Sequence, residues 1–386
     1  MTVTVRVVAL DDLSPADVAG WSDLAARAAE PNAFLDPGWL LPATRWFPAA
    51  RDLRVLLAED AHRVRMVLPL GVERGFHRLP VSYATTATPY LARNASVCAP
   101  LVDRDDTRGT LEAVLDAVGR RRSGLPGLLE LTLFPDGPLL TALLDACADR
   151  RLPVLERYRL ERACLRVPGD DPVAHLSTRR RRHVRQDAAA LAERLGGELT
   201  VVDNGGDPAA TERLLDLEAS GWKGDRSRKG AAQRNKPHQL GWFEEATDEM
   251  RRRGRLHVFE LVGGGTTVYA SAVIRSGSGL FGYLDTYDEA YADLGPGVIG
   301  RVMTQEHVAA RGDVSLFDPC IHPKFAVPST LYPGRRDLVG LMVAVRGPVA
   351  RTCVGTAPRV SSALRRLRSA RPGARDAEGA PPGGDA

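Results

Sequence analysis

LHVFELVGGGTTVYASAVIRSGSGLFGYLDTYDEAYADLGPGVIG, residues Leu256–Gly300, decides how the second half of this chain folds. Leu256–Val262, Thr267–Arg275 and Leu280–Tyr287 are rich in β-branched and aromatic residues and read as strands. Gly263-Gly-Gly and Ser276-Gly-Ser-Gly separate them. Both separators have the chemistry of tight hairpins, so the three strands are antiparallel neighbours. Gly295-Pro-Gly297-Val-Ile-Gly300 follows and opens a helix running from about Val298 to Arg311. The loop fits the dinucleotide pattern G-x-G-x-x-G, with Asp318 placed 18 residues past Gly300 as a ribose acid. Two features argue against that reading. About seven residues separate Tyr287 from Gly295, whereas the fingerprint turn follows its strand directly. The preceding strands are antiparallel, whereas a Rossmann unit needs parallel ones. A weaker physical claim remains: a Gly-rich helix start offers backbone N–H groups and a positive dipole end to a phosphate. An ordinary turn fixed by Pro296 is the other reading.

Outward from this stretch, Glu198–Val202 reads as a strand, and Pro208–Trp222 as a helix capped by Asp207. Lys223–His238 has the composition of a loop, and Gln239–Arg253 reads as a second helix ended by Gly254. Downstream come a strand Val314–Asp318 and a last strand near Leu338–Val345. The first 165 or so residues mix strands (Val3–Leu10, Asp52–Ala58, Val64–Val72, Leu128–Phe134, Arg159–Val167) with helices (Pro15–Glu30, Thr110–Arg122, Pro138–Arg150). Pro168-Gly-Asp-Asp-Pro172 marks a boundary, and a basic helix from about Leu176 to Leu195 follows it. The chain is therefore α/β, with domains expected at 1–167 and 173–345 and a basic, disordered tail at 346–386 that holds one short helix around Ser361–Ser369.

Length and charge bound the function. The 386 residues suit two or three domains, and 44 % hydrophobic residues supply sizeable cores. Only Lys223, Lys229, Lys236 and Lys324 are lysine among 52 basic residues, so arginine abundance reports codon bias more than nucleic acid. The tail holds eight Arg against three acids, so the net +4 leaves the first 345 residues slightly acidic. A polycation binding DNA over its whole surface is excluded. No apolar run approaches the roughly 20 residues of a membrane span, and the start lacks the apolar core of a secretory signal. Five cysteines without C-x-x-C argue against a disulfide framework or a zinc site. No H-E-x-x-H or P-loop lysine is present, so no metal is expected, and the expected location is a reducing cytoplasm.

The order strand, two helices, three antiparallel strands, Gly-rich loop, helix, strand resembles the GNAT acyltransferase fold. The ordered set Asn32-Ala-Phe-Leu-Asp-Pro-Gly-Trp39, Leu68-Pro-Leu70, Ala99-Pro-Leu-Val-Asp103, Arg179–Arg185, Leu217-Glu218, Trp222-Lys223, Tyr287-Asp288 and Pro296-Gly297 is similar to the cellulose-biosynthesis-type acyltransferases related to the Fem aminoacyl transferases. The resemblance covers about residues 20–325. It implies two tandem GNAT-like domains, the first degenerate, each a mixed, mostly antiparallel sheet flanked by helices. It further implies that an acyl-CoA, acetyl-CoA or another, lies beside the strand ending in Tyr287. Its pyrophosphate would rest on Gly295, Pro296, Gly297 and Gly300 and on the N–H groups from Val298 to Arg301. Asp318-Pro-Cys-Ile-His-Pro-Lys324 corresponds to the family's Asp and Lys turn near its C-terminal strand.

Acyl transfer to an amine needs the neutral amine. An alkylamine of pKa about 10 pays about three pH units at pH 7, roughly 4 kcal/mol, so a base is expected. Period-two alternation puts Phe281, Tyr283, Asp285 and Tyr287 on one strand face, which makes Asp285 a base candidate and Tyr287 its neighbour. Asp285 paired with an arginine is the plainer alternative. Glu218 and Trp222 stand at i and i+4 on one helix face as a second carboxylate and a substrate platform, or as an ion-pair member and a core residue. Three of the four lysines fall between 223 and 236, in a loop able to close over an acidic ligand or simply solvated. Asp318, His322 and Lys324 cluster after a strand, as acceptor ligands or turn decoration. Cys320 and Cys353 have no base nearby in sequence. The expected activity is N-acyl transfer from CoA to an amine of a small molecule or sugar. The rivals are an aminoacyl-tRNA-dependent transferase, disfavoured because no helical arm is inserted, and a catalytically silent CoA- or glycan-binding protein.

Overall fold

The computed structural model describes residues 3–75 and 80–355. The first half runs β1 (Thr4–Ala9), α1 (Pro15–Arg27), β2 (Arg54–Glu59), β3 (Val64–Arg74), β4 (Ser82–Thr85), β5 (Leu101–Val102), α2 (Thr107–Val118), β6 (Leu128–Pro135), α3 (Pro138–Asp149) and β7 (Val154–Arg166). The second half runs α4 (Thr178–Leu195), β8 (Thr200–Asp203), α5 (Pro208–Ser220), α6 (Pro237–Arg252), β9 (Leu256–Gly263), β10 (Thr266–Ser276), β11 (Gly279–Tyr287), α7 (Pro296–Ala309), β12 (Leu316–Asp318) and β13 (Gly334–Ala344). Local chemistry explains the boundaries. Ser14 and Asp17 form a reciprocal capping box at α1, Asp207 caps α5, and Ser177 caps α4. Gly196 in the left-handed region closes α4. Gly264 and Gly265, both at positive φ, turn β9 into β10 as the hairpin reading expects.

All the strands join one sheet, in the order β1-β2-β3-β4-β6-β13-β7-β12-β11-β10-β9-β8, with β5 on β3. Among the described residues, only β4–β6 and β11–β12 are parallel. The fold is thus α/β, with a mixed, mostly antiparallel sheet flanked by helices.

The sheet corrects the expected division at Pro168–Pro172. The last strand, assigned by sequence to the second domain, lies between β6 and β7 of the first half. Its run LVGLMVA is buried on both faces, and such a strand needs a central position rather than an edge. β7 pairs with β13 along most of its length and with β12 at its end, so it belongs to both halves. The tail also starts later than expected. Residues 348–355 are helical, and Ala350, Cys353 and Val354 pack on Leu128, Met342 and Ala344. The helix expected at 361–369 lies outside the described residues.

A buried ionic knot sits where the halves meet. Asp318, fully buried at the end of β12, accepts hydrogen bonds from Arg162 of β7 (3.1 and 2.5 Å) and Arg336 of β13 (3.2 Å). Its other oxygen accepts the Cys320 N–H at 2.8 Å. Arg162 also donates to the Ser96 carbonyl at 2.7 Å. Nearby, the segment containing Asn32–Trp39 docks onto the second half. Asn32 donates its N–H to the Ser276 hydroxyl (3.1 Å), Phe34 meets Phe281 edge-on at 6.1 Å, and Trp39 meets Trp242 at 4.9 Å. Removing one member of a buried pair strands the other charge, at about 3–5 kcal/mol. Asp318→Ala is therefore expected to lower the unfolding free energy by that amount, read as a lower urea midpoint at unchanged slope, and an unchanged midpoint would show that the knot does not stabilise the fold.

Candidate active site

The site begins where two parallel strands part. β12 reaches β11 only at Gly279–Phe281, and β11 continues for six residues beyond it with that edge open. Gly282 permits the narrow neck of this wedge, since a Cβ there would stand 2.7 Å from the Pro319 carbonyl. A small cavity of about 50 Å3 lies in the wedge, lined by Tyr269, Ser271, Tyr283, Asp285 and Tyr332 among others.

A bulge sits at the same place. Val273 pairs with Gly282 and Ala272 with Leu284, which leaves Tyr283 as the extra residue. The expected sharing of one face by Phe281, Tyr283, Asp285 and Tyr287 therefore fails, because the inserted residue inverts the alternation. Phe281 and Tyr283 pack toward Phe34, Trp39 and Phe243. Asp285 and Tyr287 turn to the α7 side.

On the α7 side, Asp285 meets Arg301 at 2.7 Å and the Tyr269 hydroxyl at 3.5 Å. Burial weakens the Arg301 cation, but Asp285 more than offsets this, and its pKa is raised overall. Burial and the Asp285 charge keep the Tyr269 phenol protonated, and burial does the same at Tyr332. Asp285, offered as base, is thus the counter-ion of a buried guanidinium.

On the opposite side, Glu218 projects from α5, and its side chain is buried. Its Oε2 accepts the Gln233 N–H at 2.8 Å. Burial pushes its pKa up, against the pull of the Gln233 amide and of Lys223 and Lys236. Gln239 of α6 donates to the Tyr283 hydroxyl at 2.9 Å and to Asn94 of the first half at 3.0 Å. The structure therefore brings Glu218, Lys223 and Tyr283 into one neighbourhood, with Gln239 and Asn94 behind it. Lys223 reaches the open strand edge itself, donating to the Asp285 carbonyl at 3.1 Å.

Other expected site residues stand elsewhere. α5 ends at Ser220, so Trp222 lies past Gly221 and shares no helix face with Glu218; it is 46 % exposed, and its N–H donates to Glu289 at 2.9 Å. Asp318 is saturated within the ionic knot and cannot face an acceptor. His322 and Lys324 occupy an exposed turn, where His322 accepts the Lys324 N–H at 3.1 Å and the Lys324 ammonium lies 4.9 Å from the Phe325 ring.

At the Gly-rich loop, Gly295 takes φ +60° and caps α7. Pro296 has no N–H, and Val298 and Ile299 both donate to the Gly295 carbonyl, at 2.9 and 3.1 Å. Gly300 and Arg301 lie within the regular helix, and the Arg301 side chain turns inward to Asp285. The amides from Val298 to Arg301, assigned above to phosphates, are thus engaged in the helix itself. Among the described residues, Gly297 carries the first-turn N–H without a protein acceptor. Gly300 serves packing, since a Cβ there would lie 2.3 Å from the Tyr269 ring.

Sequence reading missed Asn94, Gln239, Tyr269 and Tyr332. Tyr269 stands in a strand already identified. Asn94 and Tyr332 belong to segments remote in sequence, and nothing local marks them.

Residues 178–323 match the family model described as an acetyltransferase (GNAT) domain. No curated protein sequence matches the chain. The FemX crystal structure superposes with a TM-score of 0.54 at 10 % identity, covering 88 % of this chain and 97 % of FemX. A conserved protein of unknown function from Bacteroides thetaiotaomicron gives 0.50 at 12 %, covering 86 % and 97 %. A tandem GNAT protein from the clavulanic acid biosynthesis pathway gives 0.39 at 16 %, covering 90 % and 99 %. At these identities the first two superpositions speak to fold alone. Over residues 178–323 the chain is thus similar to GNAT acetyltransferase domains.

Gly300→Val is expected to push α7 off Tyr269 and destabilise the protein by about 1–3 kcal/mol, the range for overpacking a core. Thermal melting beside wild type measures it, and an unshifted melting temperature would contradict the packing role.

Proposed function

We propose that this protein is an acyl-CoA-dependent N-acyltransferase moving an acyl group, acetyl in the simplest case, onto an amine of a small molecule or sugar. The carrying observation is the wedge between β11 and β12, which opens beside the N-terminus of α7. The residues fit the donor. An open strand edge suits the amides of a pantetheine arm, and the Gly297 N–H with the positive end of α7 suits a pyrophosphate. No cluster of metal-ligating side chains occurs among the described residues. The thioester supplies an activated acyl carbon when bound.

The chain's own residues do the rest. Of the three catalytic candidates, Glu218 is the best placed to take the proton from the acceptor amine, because burial raises its pKa toward working pH. Asp285 and Arg301 form a fixed ion pair behind the strand, and Tyr287 packs against Gly297, so both position the donor side. Lys223 holds the strand edge. Trp222, His322 and Lys324 lie on exposed segments and are assigned to the acceptor's approach.

Calorimetry with CoA, acetyl-CoA and longer acyl-CoAs is the direct test. Saturable heat is expected with at least one of them, and none up to millimolar concentration would sink the proposal. Binding of tRNA that weakens steeply with salt, without CoA affinity, would favour an aminoacyl donor instead.

Glu218→Gln is expected to reduce kcat by about 10²–10⁴, the span of general-base catalysis. In the wild type, activity should fall as pH drops through the raised pKa of Glu218, because the carboxylate is the working form. The variant should lose that acidic limb. Stability has the opposite sign. A carboxyl whose folded pKa exceeds its unfolded value destabilises the fold while ionised, so the wild type gains stability as pH falls through that window. The variant should therefore melt no lower than wild type at neutral pH, and a clear loss of stability would argue that Glu218 is a structural ion-pair member.

A further inference from the structure

Most of the buried or half-buried arginines in this fold face a carboxylate, as Arg162, Arg213, Arg275 and Arg301 do. The first half of α4 instead gathers five arginines, all exposed but the half-buried Arg181. Arg179, Arg180, Arg181, Arg182 and Arg185 make no ion pair within 4 Å among the described residues. Four of them crowd the first turns of the helix, where no acid stands and the positive end of the dipole disfavours cations. The cluster therefore does not serve the helix.

A second feature lies beside it. α4 packs antiparallel to α7, with Arg194 near its C-terminal end bonded to Asp293 just before α7. Toward the other end, the two helices and the segment at 173–176 enclose a slot of about 290 Å3. Its walls are aliphatic, with Val173, Leu176, Val184, Val302 and Met303 among them. Arg181 and Arg185 also line it, and Glu306 is its one carboxylate. The volume sits at the small end of ligand pockets, which run about 300–1,000 Å3. No aromatic ring and no side-chain amide lines the slot, so a base would meet only guanidinium groups there, over walls that are aliphatic. An aliphatic slot under a guanidinium rim matches an alkyl chain with an anionic head.

We propose that the α4–α7 face docks onto a bilayer containing anionic phospholipid, with arginines on the phosphates and one acyl chain entering the slot. The mode combines surface charge attraction with shallow apolar insertion. It stands apart from the acyl-transfer reading, and none of its residues belongs to the candidate active site.

Flotation of the full chain with phosphatidylcholine vesicles, with and without phosphatidylglycerol, tests it. Binding is expected to be at least about tenfold tighter with phosphatidylglycerol and to weaken as salt is added. The triple variant Arg181→Glu, Arg182→Glu, Arg185→Glu should lose that preference while keeping its melting temperature. Met303→Glu should weaken vesicle binding with the arginines intact, and Ala188→Glu replaces it should melting show that Met303→Glu unfolds. Equal affinity for both vesicles would overturn the proposal. So would binding that survives the triple variant, which would assign it to the basic segment after residue 345, or a slot variant that binds like wild type. Retention of RNA with vesicles ignored would also overturn it.

Discussion

Asp318 and its two arginines hold the place on which the site depends. The carboxylate stands at the last residue of β12, and its partners come from β7 and β13. The knot fixes the end of β12 against the middle of the sheet just where β11 leaves it. Charges this deeply buried are tolerable only because each is paired and hydrogen-bonded: Arg162 also reaches a main-chain carbonyl, and Asp318 accepts a main-chain amide. A residue expected to meet the acceptor is instead spent inside the sheet, on two arginines and a main-chain amide.

The bulge at Tyr283 divides the labour around β11. One added residue sends Tyr283 to the aromatic side, next to Glu218 and Gln239, and sends Asp285 to the α7 side, next to Arg301. Two carboxylates that compete for one role in the sequence thus occupy opposite faces. Glu218 sits in a dry neighbourhood that raises its pKa, whereas Asp285 has a guanidinium as its permanent neighbour. The environment rather than the residue type separates the two carboxylates.

The sequence discloses the fold well where local rules govern. Gly263–Gly265, Asp207 and Ser14 each announce a turn or a cap, and the three-strand meander follows from them. Long-range placement is less visible. Nothing in LVGLMVA says that it belongs beside β6 and β7, although its two-sided apolar character points to a central strand. At the site, the Gly-rich loop and Glu218 could be singled out by composition and spacing. The inverted alternation could not, because a bulge is one residue of main-chain geometry with no side-chain signature. The contribution of Asn94 also escapes sequence reading, since its partner Gln239 lies 145 positions away.

The return of β13 to the centre of the sheet bears on how the chain acquires its shape. Until that strand emerges, β6 and β7 lack the neighbour that joins them, and Arg336 is not yet present to complete the knot. The two halves, though each has its own helices and meander, are therefore closed by one late, non-local event. Such pairings bring no gain until a long loop has been ordered, which slows folding and leaves strand edges exposed in the meantime. A cut between the halves would not yield two independent units, because the seam of the first is supplied by the last strand of the second.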